Sequence, residues 1–166
     1  MLTRVLAATA ATTAGATVAL VVALATAAGT LAIPSGAIAG LSTEIEKALQ
    51  ESPYVYIQSE RKSGQLGRPA EIWFFYEGGA VYVGTRPESW RVRRIKAGRT
   101  KARIAVGKSD GAAFEATGAV VRDPALEQRL QETFAKKYPE GWRKHETSFR
   151  EGFKTGARVL VRYTPR

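Results

Sequence analysis

The chain has 166 residues and a formal net charge of +10, from 25 Lys and Arg against 15 Asp and Glu. It contains no Cys and a single His, His145. Disulfides, thiolate metal sites and multi-histidine metal centres are therefore excluded, while an anionic ligand or surface is favoured by the charge.

Charge divides the chain in two. Arg4 is the only charged residue before Glu44, so 24 basic and 15 acidic residues lie from Glu44 onward, giving that part +9. Residues 1–39 are predicted to be an N-terminal apolar helix outside the fold, and residues 40–166 one folded domain. The apolar segment peaks over Val18–Ala28 and is broken by Pro34-Ser35-Gly36. It reads either as a signal peptide cleaved after Ala37-Ile38-Ala39 or as a membrane anchor. Both readings put the domain on the extracytoplasmic (periplasmic) side, since the positive charge precedes the segment and Glu44 and Glu46 follow it.

Within the domain, Ser42 caps a short helix whose Ile45 and Leu49 share a face, and Pro53 ends it. Tyr54–Ser59 reads as a strand, being rich in β-branched and aromatic residues. Arg61–Pro69 is a loop punctuated by Gly64, Gly67 and Pro69. Glu71–Tyr76 is predicted to be one central strand, apolar on both faces. Gly78-Gly79 makes a hairpin into Val81–Val83. Pro87–Ala97 is predicted to be a helix, with Pro87 in its first turn. Lys101–Val106 alternates, with Ala102, Ile104 and Val106 on one side, and Phe114–Val121 pairs back after a turn at Lys108–Gly111. Asp123-Pro124 opens a helix carrying Leu126, Leu130 and Phe134 on its apolar face. Glu140–Glu151 is a further helix and Val159–Tyr163 a last strand. This order predicts a mainly β, α+β domain: an antiparallel barrel with flanking helices.

The most informative stretch is Ala80–Lys96. A strand delivers Thr85, and a helix begins near Ser89, so two hydroxyls meet backbone N–H groups that favour an anion. Arg91 and Arg94 share a helix face, and a guanidinium can chelate a phosphate. A capped, solvated helix is the plainer account of the same residues. Arg61-Lys62-Ser63-Gly64 is a second, less specific phosphate loop. His145 beside Lys144 and Glu146 reads as solvated, as do Glu127 and Glu132. Trp73, Phe74 and Phe75 read as core.

Ser59–Pro165 resembles the pyridoxamine 5'-phosphate oxidase-like superfamily of flavin- and deazaflavin-dependent oxidoreductases, which are split β-barrels. Arg61-Lys62-Ser63-Gly64 and Gly67-Arg68-Pro69, leading into Ile72-Trp73-Phe74, are similar to that family's Arg-Lys-x-Gly, Gly-x-Pro and Val-Trp-Phe run. Val81–Thr85 resembles its next strand. Thr85, Ser89 and Arg91 resemble a Thr-x-x-x-Ser-x-Lys pattern that holds the cofactor phosphate, with Arg91 in place of Lys. Gly118–Val121 and the helix to Tyr138 resemble its later strand and helix. Trp90 and Ala97-Gly98-Arg99-Thr100 depart from the family pattern.

The resemblance implies an oxidoreductase binding FMN or deazaflavin (coenzyme F420), with haem behind them. It also implies a small-molecule substrate and a homodimer. The expected cofactor-binding residues are Arg61, Lys62, Thr85, Ser89, Arg91 and Arg94, with no catalytic side chain named. The alternative is a non-enzymatic carrier or sensor on the same barrel. Nucleic acid is not an expected partner, because an exported domain meets little of it.

Overall fold

A computed structural model describes residues 40–166; the apolar segment expected over 1–39 lies outside the described residues. The chain order is α1 (Thr43–Glu51), β1 (Val55–Ser59), β2 (Ala70–Ile72), β3 (Phe75–Glu77), β4 (Ala80–Thr85), α2 (Trp90–Lys96), β5 (Lys101–Val106), β6 (Ala113–Val121), α3 (Pro124–Lys137), α4 (Pro139–Thr155) and β7 (Val159–Pro165). The seven strands form one antiparallel sheet in the order β2-β1-β5-β6-β7-β4-β3.

The two edge strands of this sheet are neighbours in sequence. Only Trp73 and Phe74 separate β2 from β3, so the strand ends are three Cα–Cα steps apart, at most about 11 Å. The sheet must therefore curl until its edges almost meet, which makes it a barrel split along one seam. The single central strand predicted over Glu71–Tyr76 is thus corrected: it is two edge strands joined by a corner. Apolar character on both sides came from that corner. Phe74 is fully buried in the barrel. Trp73 packs outside it, stacked on Tyr138 at 4.5 Å between ring centroids. The Tyr138 hydroxyl ties the corner down, accepting from the Phe74 N–H (3.2 Å) and donating to the Pro53 carbonyl (2.6 Å).

Strand alternation then sorts two cores. Val55, Ile57, Val81, Val83, Ile104, Val161 and Tyr163 fill the barrel. Leu49 of α1 and Val92 of α2 join them. A nine-residue helix is marginal alone, so α1 depends on burying Leu49, worth about 2 kcal/mol. On the outer face, Ala80, Tyr82 and Leu160 meet Leu130 and Phe134 of α3 and Trp142, Phe149 and Phe153 of α4. Gly84 of β4 lets α4 sit close: a Cβ there would lie 2.7 Å from Phe149 Cε1.

Most local expectations hold. The Ser42 hydroxyl accepts from the Ile45 N–H, and the Asp123 carboxylate accepts from the N–H groups of Ala125 and Leu126. Gly78 and Gly79 take positive φ in the hairpin. Several boundaries move, α4 running on to Thr155 and β7 to Pro165. The helix expected from Pro87 starts at Trp90, because Arg86–Ser89 is a turn closed by the Ser89 N–H on the Arg86 carbonyl. Pro139 ends α3 but also opens α4, where its missing donor costs nothing. Among the described residues, no helix is long and apolar enough to cross a membrane.

Candidate functional site

Strand β4 ends at Thr85, the Arg86–Ser89 turn reverses the chain, and α2 returns across the open end of β1. Val92 is fully buried and pins α2 to the barrel. Arg91 and Arg94 consequently overhang a groove of ≈ 440 Å³. Ile57 and Ser59 of β1 line its floor, Arg61 and Arg68 come from the loop between β1 and β2, and Thr85, Ser89 and Trp90 complete it.

Four guanidinium groups and no carboxylate line this groove. None of the four takes part in an ion pair among the described residues. Arg94 is anchored, donating from Nη1 to the Ser59 carbonyl at 3.0 Å. The Gly67 N–H donates to the same carbonyl at 3.0 Å, and Gln58 Nε2 donates to the Gly67 carbonyl at 3.0 Å. Gly67 is closely approached here: a Cβ would lie 3.0 Å from Arg94 Nη1 and 3.3 Å from the Ser59 oxygen, so a larger residue would displace the guanidinium.

The groove also holds polar atoms without partners. Ser89 is the N-cap of α2, yet its hydroxyl makes no capping bond. Ser89 Oγ and Arg91 Nη1 are both buried and unpartnered. Tyr163 of β7 is 1% exposed, and its hydroxyl, also without a well-directed hydrogen bond, lies beside Ser59 and Arg91. Burial pushes this phenol up, against the Arg91 charge and the neighbouring hydroxyl, which pull it down. Buried polar groups in folded proteins nearly always have a partner. Such a cluster, next to four uncompensated cations, suits an anion carrying several acceptor oxygens.

Of the residues expected from sequence, Arg61, Thr85, Ser89, Arg91 and Arg94 come together in this groove. Lys62 does not: it sits exposed at the tip of a turn closed by the Arg61 N–H on the Gln65 carbonyl. Sequence reasoning missed Arg68, Ser59 and Tyr163 as site residues. Arg68 was legible as the middle of Gly67-Arg68-Pro69. Tyr163 was not, because only the β6-β7-β4 pairing carries it to the site. Trp90 stands at the rim, 70% exposed, with the Arg93 and Arg94 guanidinium carbons 5.4 and 6.0 Å from its ring centroid. His145 lies elsewhere, edge-on to Trp73 in a separate cavity of ≈ 400 Å³.

No family model matches the chain, and no curated protein matches it by sequence. Solved structures do match by fold. The conserved hypothetical protein Rv2991 from Mycobacterium tuberculosis aligns with TM-score 0.58 and 16% identity, over 76% of this chain and 81% of that one. HutZ, the haem storage protein from Vibrio cholerae, aligns with TM-score 0.55 and 15% identity, over 76% and 91%. A general stress protein 26-related protein of the pyridoxinephosphate oxidase family, from Clostridium acetobutylicum, aligns with TM-score 0.53 and 15% identity, over 74% and 81%. In fold, therefore, the chain is an antiparallel split β-barrel similar to these solved structures.

Proposed function

We propose that this domain binds a phosphorylated flavin or deazaflavin in the arginine groove and acts as an oxidoreductase on a small substrate. One observation carries the reading. Arg61, Arg68, Arg91 and Arg94 converge without a carboxylate, next to the unpartnered Ser89 Oγ and Arg91 Nη1. The family named for the Clostridium neighbour supports it as analogy.

The residues present fit the phosphate end of such a cofactor. Arg91 and Arg94 would chelate its oxygens, Thr85 and Ser89 would donate hydroxyl hydrogen bonds, and Arg61 and Arg68 would neutralise the remaining charge. When bound, the ring supplies hydride or electron transfer; the protein's part is to orient it. Fixing the phosphate fixes where the ring begins, and Trp90 is the aromatic side chain in the groove lining against which the ring would rest. No side-chain acid or nucleophile is required.

Haem is the second reading, because HutZ is named as a haem storage protein and the cations would also suit propionates. It ranks lower: the single histidine lines a different cavity from Arg61, Arg68, Arg91 and Arg94, sharing it with Arg158 alone among the arginines. The homodimer implied by the resemblance, and the extracytoplasmic location read from residues 1–39, are part of the proposal.

Absorption spectra of the full-length chain, reconstituted separately with FMN, coenzyme F420 and haemin, test it. A stoichiometric flavin or deazaflavin band is expected, followed by turnover of the reduced ring with a quinone or nitroaromatic acceptor. Binding without turnover would make the protein a carrier. Absence of binding by either ring would end the oxidoreductase reading and leave the fold untouched.

A further inference from the structure

Thr85 and Ser89 also line a second groove, open and of ≈ 620 Å³, together with Gly84, Arg86, Glu88 and Arg158. The strand register puts two cations there. Thr85 of β4 pairs with Val159 of β7, so Arg86 and Arg158 stand opposite each other one step beyond the end of the ladder. Like charges in that relation repel. Neither arginine forms an ion pair among the described residues, Glu88 included.

Arg158 is held in one pose. Its stem packs on Gly152, where a Cβ would come within 2.7 Å of Arg158 Cγ. Its Nε donates to the Ser148 carbonyl and its Nη2 to Ser148 Oγ, both at 3.1 Å. Its guanidinium carbon lies 3.8 Å from the Phe149 ring centroid. These contacts fix one edge of the guanidinium and leave Nη1 without a hydrogen bond among the described residues. Burial and the nearby Arg86 charge both act against its protonated form. A guanidinium already immobilised loses little further entropy when an anion arrives.

We infer that the ligand is a bis-anion: one phosphate in the four-arginine groove, and a second phosphoryl or carboxylate group in the groove of Arg86 and Arg158, reached across Thr85 and Ser89. This rests on the phosphate reading of the first groove. It narrows the ligand class to molecules with two separated anionic groups, so that FMN, with its single phosphate, serves as a probe of the first groove alone, and it makes Arg86 and Arg158 specificity-determining residues.

Calorimetric titration of the full-length chain with orthophosphate, tripolyphosphate and 3-phosphoglycerate tests the inference. The longer anions are expected to bind about tenfold or more tighter than orthophosphate, as one added charge-assisted contact would give. Arg86→Gln, an exposed residue with no side-chain bond in the fold, should erase that advantage while leaving orthophosphate affinity unchanged. Arg158→Gln should do the same; if it fails to fold, Arg86→Gln alone decides. Whichever long anion shows the larger Arg86-dependent gain identifies the second group as phosphate or carboxylate. An advantage that is absent in the parent chain, or that survives Arg86→Gln, overturns the bis-anion inference alone. Orthophosphate binding that ignores Arg91→Met overturns the phosphate reading and this inference with it.

Discussion

Replacing Arg91 with methionine is expected to move stability and affinity in opposite directions. Methionine keeps much of the stem's volume but removes the charge and the buried, unpartnered Nη1. An unsatisfied buried donor costs about 1–3 kcal/mol. Arg91 is only half-buried, so solvent relieves part of this, and a net gain of about 1 kcal/mol is the reasonable expectation. For a domain of this size that raises the apo Tm by roughly 3–5 °C. The same substitution removes a charge-assisted contact worth about 1.5–3 kcal/mol, so FMN affinity should fall about ten- to a hundredfold. Circular-dichroism melts of the apo chain and a flavin fluorescence titration measure the two quantities. An apo Tm that falls, together with an unchanged FMN Kd, would refute the view that Arg91 is held in readiness for an anion.

Three further outcomes are expected. Gly67→Ala sets a Cβ 3.0 Å from Arg94 Nη1, so the guanidinium must shift; FMN affinity should drop several-fold in calorimetry while the urea midpoint moves little. Tyr138→Phe keeps the ring stack on Trp73 but leaves the Phe74 N–H and Pro53 carbonyl without their partner; urea unfolding should show a loss of about 2–3 kcal/mol. Lys137 is brought down to about 8 by burial, from an ordinary 10.5, while the Phe74 ring 3.6 Å below its Nζ acts in the opposite sense. Between those two values the unfolded chain holds more protons, so stability should rise with pH across 8–10.5 and its cost should be constant below 8. Lys137→Met should gain about 1 kcal/mol at pH 7 after allowance for solvent screening and lose that rise; urea midpoints measured from pH 7 to 10 check it.

The local grammar was legible because it depends on neighbours in sequence. Ser42 and Asp123 announced their helices through short-range hydrogen bonds, Gly78-Gly79 announced its hairpin through positive φ, and the spacing of Leu126, Leu130 and Phe134 announced the apolar face of α3. Arg91 and Arg94 could be paired because three residues on a helix bring side chains to one side. Trp73 and Phe74 misled for the same reason: a corner that turns one residue inward and the next outward has the local pattern of a doubly buried strand.

What the chain alone determined was a basic, mainly β domain of six predicted strands, with two arginines and two hydroxyls near one strand end. Tertiary structure decided which distant groups join them. The curl of the sheet brings the loop cations Arg61 and Arg68 under α2. The β4-β7 register sets Arg86 against Arg158 and delivers Tyr163 beside Arg91. Charge repulsion and unpaired buried donors are properties of proximity in space, which local periodicity does not encode.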